Sequence, residues 1–384
     1  MRSDPAPDTV RVVVEAGPLG DGRASAGIGR YLRSLIDALE RLPAGERPAI
    51  RLATPRRAAT TERRPLRYLR SQPSILVAAA RWRPAVVHAV ASEPAALWPL
   101  RRQVVTLHDV VPWTSAEHRL SGAARAYAAL HGRRLRRCAA VIAVSPSVAA
   151  DAREVLHLDP GRVHVVAEGV GAVFSPCASP VDQERRDAAG VTAGGYVLWS
   201  GSLAAHDPRK ALDVLVDAMT ALAGAARSEG REPPVLVLAG RGGAEATRVA
   251  TRCAAAGVPA VVTGWVSDGD LAALLRGAGA VAVPSLHEGF GLPVLEALAC
   301  AAPVVASRTG NIPDLAGGAA VLVAPGDARA LAQALAGVLG PGSATAGRLR
   351  AAGPPRAAGF DWLRTAGQTA AVYRSVAAGL TAPR

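Results

Sequence analysis

The stretch Val281-Ala282-Val283-Pro284-Ser285-Leu286-His287-Glu288-Gly289-Phe290-Gly291-Leu292-Pro293-Val294-Leu295-Glu296 reads as one strand, one loop and the start of one helix. Val281–Val283 is a short apolar run, as in strands buried on both faces of a parallel sheet. The helix is predicted to open near Gly291–Leu292, with Pro293 inside its first turn, where a missing N–H costs nothing. The backbone N–H groups of such a helix start have no partner within the helix and make an anion site.

The alternation continues on both sides. Pro303–Ala306 reads as the next strand, and Tyr196–Trp199, Val235–Ala239 and Ala260–Thr263 as earlier ones. Helices are predicted between them at Arg209–Ala223, Glu245–Ala256 and Asp270–Gly277. A first series runs through Val10–Glu15, Ala85–Val90, Gln103–Leu107 and Ala139–Val144. After the first of these strands a glycine-bearing turn spans Gly17–Gly29, and Arg30–Leu42 then carries Leu32, Leu35, Ile36 and Leu39 at helical spacing. Helices are also expected at Gly122–Arg137 and Ser147–Leu156. This pattern predicts an α/β protein of two domains, each with a parallel sheet. Pro176, Pro180, Gly190, Gly194 and Gly195 mark a linker at 176–195, between an N-terminal domain at 1–175 and a C-terminal domain at 196–355. Gly340–Pro355 reads as flexible, the Arg- and Pro-rich residues 51–83 as including a mobile loop, and residues 361–384 as a closing helix that could dock on the first domain. Ligands of open parallel sheets bind outside the carboxyl ends of the strands, so the site is expected in a cleft between the domains.

Composition narrows the function. The 384 residues are 50% hydrophobic but only 4% aromatic, which requires cores of Val, Leu and Ala. The net charge of +13 is carried by arginine, with Lys210 the single lysine of the chain. Residues 1–190 hold 28 arginines against 18 acids, a balance that suits phosphates, an anionic membrane surface, or plain solubility. No RNA- or DNA-binding module is visible and few aromatics could stack bases, so nucleic acid is not expected as a partner. Cys138, Cys177, Cys253 and Cys300 share no short spacing, so neither a disulfide framework nor a zinc site is indicated. The polar start MRSDPAPD has no signal-peptide character and no apolar run is long enough to span a bilayer, so a cytoplasmic protein is expected.

Four segments hold the candidate chemistry. Glu288 and Glu296 flank the anion site, and a diphosphate there would have a sugar on each side. Glu288 would then take the transferred hexose and Glu296 the ribose, since a carboxylate accepts several hydroxyl hydrogen bonds. The residues alone equally allow a capping Glu288 and an exposed Glu296. Gly201-Ser202-Leu203-Ala204-Ala205-His206-Asp207-Pro208-Arg209-Lys210 lies between a strand and a helix. Two cations before a helix start are disfavoured by the dipole, but they suit a leaving diphosphate. His108 follows a buried strand in Val104-Val105-Thr106-Leu107-His108-Asp109-Val110-Val111-Pro112, with Asp109 placed to orient the loop. Gly27-Ile28-Gly29-Arg30-Tyr31 offers a backbone that a phosphate or sugar can approach.

The segment from Glu288 to Glu296 resembles the E-x7-E signature of the retaining GT-B glycosyltransferases of family GT4, and the other motifs follow in that family's order. The resemblance implies a GT-B fold: two Rossmann-like domains facing across a cleft, with the donor held mainly by the C-terminal one. It implies a metal-independent hexosyltransferase with no permanent cofactor, in which Glu288, His108 and Lys210 are catalytic. Arg209, Lys210, Gly27, Gly29, Val266, Gly291, Leu292 and Glu296 would bind the donor, with Val266 in Gly264-Trp265-Val266-Ser267 contacting the base. The G-x-G-R-Y and H-D-x-x-P patterns are similar to mannosyltransferase-like members. They favour GDP-mannose over a UDP-sugar, with a glycan, lipid-linked or small-molecule acceptor and peripheral contact with anionic membrane. Ser202 stands where many relatives carry arginine, and Glu168 replaces the usual Asn of a P-N-G-V segment. A nucleotide-sugar epimerase on the same fold is the competing enzyme class, and a glycosidase would have no use for the phosphate cradle.

Overall fold

A computed structural model describes residues 9–20, 27–54, 64–95, 98–114, 122–191 and 195–381. The N-terminal octapeptide, residues 55–63 of the Arg-rich segment and Gly194 lie outside the described residues. The chain forms two compact units, Met1–Gly169 with Asp361–Arg384, and Val170–Phe360.

The first unit runs β1 (Arg11–Glu15), α1 (Gly17–Gly20), α2 (Gly27–Glu40), β2 (Ala49–Ala53), α3 (Arg64–Trp82), β3 (Val86–Ala89), β4 (Gln103–Leu107), α4 (Val111–Thr114), α5 (Gly122–Leu135), β5 (Ala140–Ala143), α6 (Pro146–Leu156) and β6 (Val163–Val165). The second runs α7 (Asp182–Ala188), β7 (Val197–Ser200), α8 (Leu212–Ser228), β8 (Leu236–Ala239), α9 (Ala244–Ala255), β9 (Ala260–Gly264), α10 (Asp268–Gly277), β10 (Ala280–Val283), α11 (Leu292–Ala299), β11 (Val304–Ser307), α12 (Ile312–Ala316), β12 (Ala320–Val323), α13 (Ala328–Leu339) and α14 (Ala344–Ala357). α15 (Trp362–Thr381) returns to the first unit.

Each unit holds one six-stranded sheet, ordered β2-β1-β3-β4-β5-β6 and β12-β11-β10-β7-β8-β9, with every pairing parallel. Strand order reverses between β1 and β3 in the first sheet and between β7 and β10 in the second. Loops diverge at such a switch point and leave a crevice at the carboxyl ends of the strands.

Apolar spacing explains the packing. On α2, Leu32, Leu35 and Leu39 are fully buried against Val12, Val14 and Val86 of the sheet. Each such leucine contributes about 1.5–3 kcal/mol by leaving water. α15 joins this core through Trp362, Ala366, Ala370 and Tyr373. In the second unit, Leu212, Leu215, Val216 and Met219 of α8 and Leu331 and Leu335 of α13 close over Val197, Leu236 and Ala280.

Several expectations need correction. α2 begins at Gly27, so Gly27 and Gly29 belong to its first turn and not to a preceding loop. Arg64–Trp82 is helical despite Pro73, and the loop expected within 51–83 falls on residues 55–63, outside the described residues. The stretch 176–195 contains α7, which packs on α10 through Arg185–Asp270 and Arg276–Asp182 ion pairs. Gly340–Pro355 is not a flexible segment. Ser343 caps α14 by accepting from the Ala346 N–H, and Gly353 lets the helix sit directly on α11. Of the arginines at 133–137, Arg134 and Arg136 donate to the carbonyls of Ala95 and Leu156.

Candidate active site

In the second unit, the loops after β7 and β10 leave the sheet on the two sides of its switch point. Asp207 caps a single 3-10 turn, Pro208–Lys210, by accepting from the Arg209 N–H. Ala211 closes the turn in the left-handed region, at φ 48°, before α8 begins. The turn therefore ends with Lys210 facing the other loop. The Lys210 Nζ donates to Glu288 Oε1 at 2.7 Å, and the Ser285 hydroxyl donates to the same oxygen at 2.8 Å. The Leu286 N–H donates to the Arg209 carbonyl at 2.7 Å, so the two loops are also joined through their backbones.

A third loop, after β11, holds the second from behind. Asn311 is buried, its Nδ2 donates to the Phe290 carbonyl at 3.0 Å, and its backbone N–H donates to that of Glu288. Thr309 Oγ1 donates to the Leu286 carbonyl. Gly310 has φ 51°, and a Cβ there would lie 2.0 Å from the Glu288 carbonyl oxygen, so this contact requires glycine. Asn311 carries no local motif, and its role becomes visible only when the loops are placed together.

The loop enters α11 through Gly291, whose φ of 102° is left-handed. Val294 and Leu295 donate back to the Gly291 carbonyl, no side chain caps the helix, and Pro293 has no N–H to offer. The Leu292 N–H, at the first helical position, has no acceptor within the helix. The positive end of α11 and the Lys210 ammonium thus belong to the same loop assembly as the Glu288 carboxylate. Glu296 is 3% exposed, which rules out the exposed helix acid.

Arg209 is placed differently from Lys210. Its guanidinium forms a two-point clasp on Asp207, Nε to Oδ1 at 2.9 Å and NH2 to Oδ2 at 2.8 Å. Burial opposes ionisation of Asp207, but the hydrogen bonds and charge of Arg209, with Lys210, hold its carboxyl below the usual range. Val266 lies in the turn between β9 and α10, where Ser267 and Asp270 form a reciprocal capping box.

In the first unit, His108 follows β4, and Asp109 accepts from the Val111 N–H and so fixes the loop. His108 Nδ1 lies 3.1 Å from Glu168 Oε1 and Nε2 lies 3.1 Å from the Val90 carbonyl, with the Tyr31 ring edge-on at 4.8 Å. Both ring nitrogens thus face acceptors, and Glu168 is the residue that orients the imidazole. Gly27 is exposed, and nothing within 4 Å would meet a Cβ there.

A pair of parallel six-stranded sheets, each followed by loops gathered at its switch point, defines the GT-B class of architecture. Sucrose-phosphate synthase from Thermosynechococcus elongatus superposes with a TM-score of 0.76 at 22% identity, over 96% of this chain and all of that one. HepE from Anabaena, solved with UDP and glucose, gives 0.71 at 18% identity, over 95% of this chain and all of that one. Residues 25–172 match the family model "Glycosyltransferase Family 4", and residues 194–340 match "Glycosyl transferases group 1". The chain belongs to this family of glycosyltransferases. A D-inositol 3-phosphate glycosyltransferase of Salinispora arenicola is 34% identical over 61% of this chain and 54% of its own. An MMP alpha-(1->4)-mannosyltransferase of Mycolicibacterium hassiacum is 41% identical over 30% of this chain and 29% of its own. The chain thus spans about half or less of the length of these curated relatives. Among the described residues no helix is long and apolar enough to cross a membrane.

Proposed function

We propose that this chain is a cytoplasmic, retaining, metal-independent hexosyltransferase that takes its sugar from a nucleoside diphosphate. GDP-mannose is the favoured donor, ahead of a UDP-sugar, and the acceptor is a glycan, a lipid-linked saccharide or a small molecule. The observation that carries this reading is the Lys210–Glu288 pair between the two switch-point loops, beside the amino end of α11.

A donor would exchange that contact for two others. The diphosphate takes the ammonium and the Leu292 N–H, and the hexose hydroxyls take the carboxylate. Glu296 holds the ribose, and the turn at Val266 takes the base. His108 is assigned to a hydroxyl of the hexose, and Gly27 and Gly29 to the phosphate or acceptor. As the bond from the anomeric carbon to the diphosphate breaks, its electron pair leaves with the phosphate oxygen. Lys210 meets the charge that develops there, and such fixed cations are worth most where charge appears in the transition state. The acceptor oxygen then bonds the same face of an oxocarbenium-like carbon, and its proton passes to the departing phosphate. Arg209 would contribute by turning from Asp207. Arg133 and Arg137 are the arginines of the 133–137 cluster assigned to peripheral contact with anionic lipid.

The test is turnover of GDP-mannose and UDP-glucose by wild type and Lys210→Ala. Wild type should release nucleoside diphosphate, and the variant should do so about 100- to 1,000-fold more slowly. Unchanged turnover would place the leaving group elsewhere.

A further inference from the structure

A cavity of about 430 Å³ opens beside the end of β9, between α7 and the turn Trp265–Val266. Its walls include Glu184, Arg185, Thr263, Trp265, Val266 and Asp270. It lies where edge strand β9 reaches its carboxyl end, the side on which open parallel sheets take ligands. Two of its features are not accounted for by packing, and a third places a cation on its wall. Trp265 is 62% exposed, unusual for so large an apolar side chain. Glu184 is exposed and takes no hydrogen bond or ion pair among the described residues. Arg185 is held rather than mobile: its NH1 donates to Asp270 Oδ1 at 2.7 Å, and Asp270 is itself fixed by the Ser267 cap. The guanidinium also lies against Gly269, where a Cβ would stand 2.4 Å from NH1.

An indole face, a carboxylate and a fixed guanidinium around one cavity match the surface of a guanine. The base offers a flat π face, donors at N1 and the N2 amine, and acceptors at O6 and N7. A carboxylate only accepts, and a guanidinium only donates. We infer that this cavity reads the nucleobase of the donor, with Trp265 stacking on it, Glu184 accepting from N1–H and the N2 amine, and Arg185 donating to O6. The assignment rests on the proposed donor reading, in which the turn at Val266 meets the base. It goes further by making Glu184 the determinant of guanine over uracil, which has a single ring N–H and no amine to give.

Titration calorimetry of GDP, IDP and UDP into the full chain tests it, because IDP differs from GDP only in lacking the N2 amine. Wild type should bind GDP about 10-fold more tightly than IDP, the scale of one hydrogen bond to a charged group. Glu184→Gln should reduce that ratio towards one, and Trp265→Ala should weaken all three nucleotides about 10-fold. Both positions are exposed, so the variants should fold. Equal binding of GDP and IDP by wild type, a ratio unmoved in Glu184→Gln, or tighter binding of UDP would overturn the inference and leave the transferase reading standing. Failure of all three nucleotides to bind wild type would overturn both.

Discussion

Glu288 receives both of its hydrogen bonds on one oxygen. Lys210 Nζ and Ser285 Oγ meet at Oε1, and Oε2 takes none among the described residues. A second oxygen on a carboxylate held in this way suits a sugar hydroxyl. Glu296 is buried inside α11 and carries the proposed ribose contact, a matter of nucleotide affinity and not of bond breaking. Glu288→Gln should therefore lower kcat about 100-fold with little change in nucleotide Kd, and Glu296→Gln should raise that Kd about 10-fold. Steady-state kinetics with calorimetry separates the two, and a reversed pattern would exchange their roles. The glutamates, Lys210 and Gly291 were legible because they sit in one short run or are singular in composition. Asn311, Glu168 as the partner of His108, and the clasp of Asp207 on Arg209 were not. Each depends on contacts between loops, or on a side-chain rotamer, that no local spacing records.

At the scale of elements, the interior strands were easier to read than the edges. β5, β8 and β10 are continuous apolar runs, buried on both faces, and β4 and β7 are broken only by Gln103, Thr106 and Ser200. Edge strands β2 and β6 carry Arg51 and His164 and are partly exposed, so their apolar runs are broken and the sequence does not mark them. α14 was misread for the opposite reason: its glycines and Pro354-Pro355 look like a breaker, yet the prolines fall in the last turn and Gly353 is a packing residue. A Cβ at 353 would lie 2.7 Å from the Leu298 carbonyl oxygen on α11. Helix propensity favours alanine there by about 1 kcal/mol, but forcing two helix backbones apart costs more, about 1–3 kcal/mol. Gly353→Ala should thus lower the urea midpoint, whereas a raised midpoint would show that α14 does not press on α11 through its backbone.

At the scale of the whole chain, the last helix is tied to the first sheet by a buried polar chain. Tyr373 Oη lies 2.7 Å from His88 Nδ1, His88 Nε2 lies 2.8 Å from Thr106 Oγ1, and Thr106 Oγ1 lies 3.2 Å from Tyr31 Oη. Burial, and secondarily the neighbouring His108, pushes the His88 pKa down from 6.5 to about 3. The folded chain then refuses a proton that the unfolded chain accepts below about pH 6.5, so this group's contribution is present at neutral pH and is lost as pH falls towards 3. The loss is about 1.4 kcal/mol per pH unit within that window. Wild type should lose more melting temperature between pH 7 and pH 5 than His88→Gln does, and equal losses would show that His88 is not held neutral. The proposed transfer depends on where a nucleoside diphosphate settles in the second unit. A crystal structure of the protein with GDP should show the diphosphate within 4 Å of Lys210 Nζ and against the Leu292 N–H. A diphosphate bound elsewhere, with Lys210 still paired to Glu288, would contradict it.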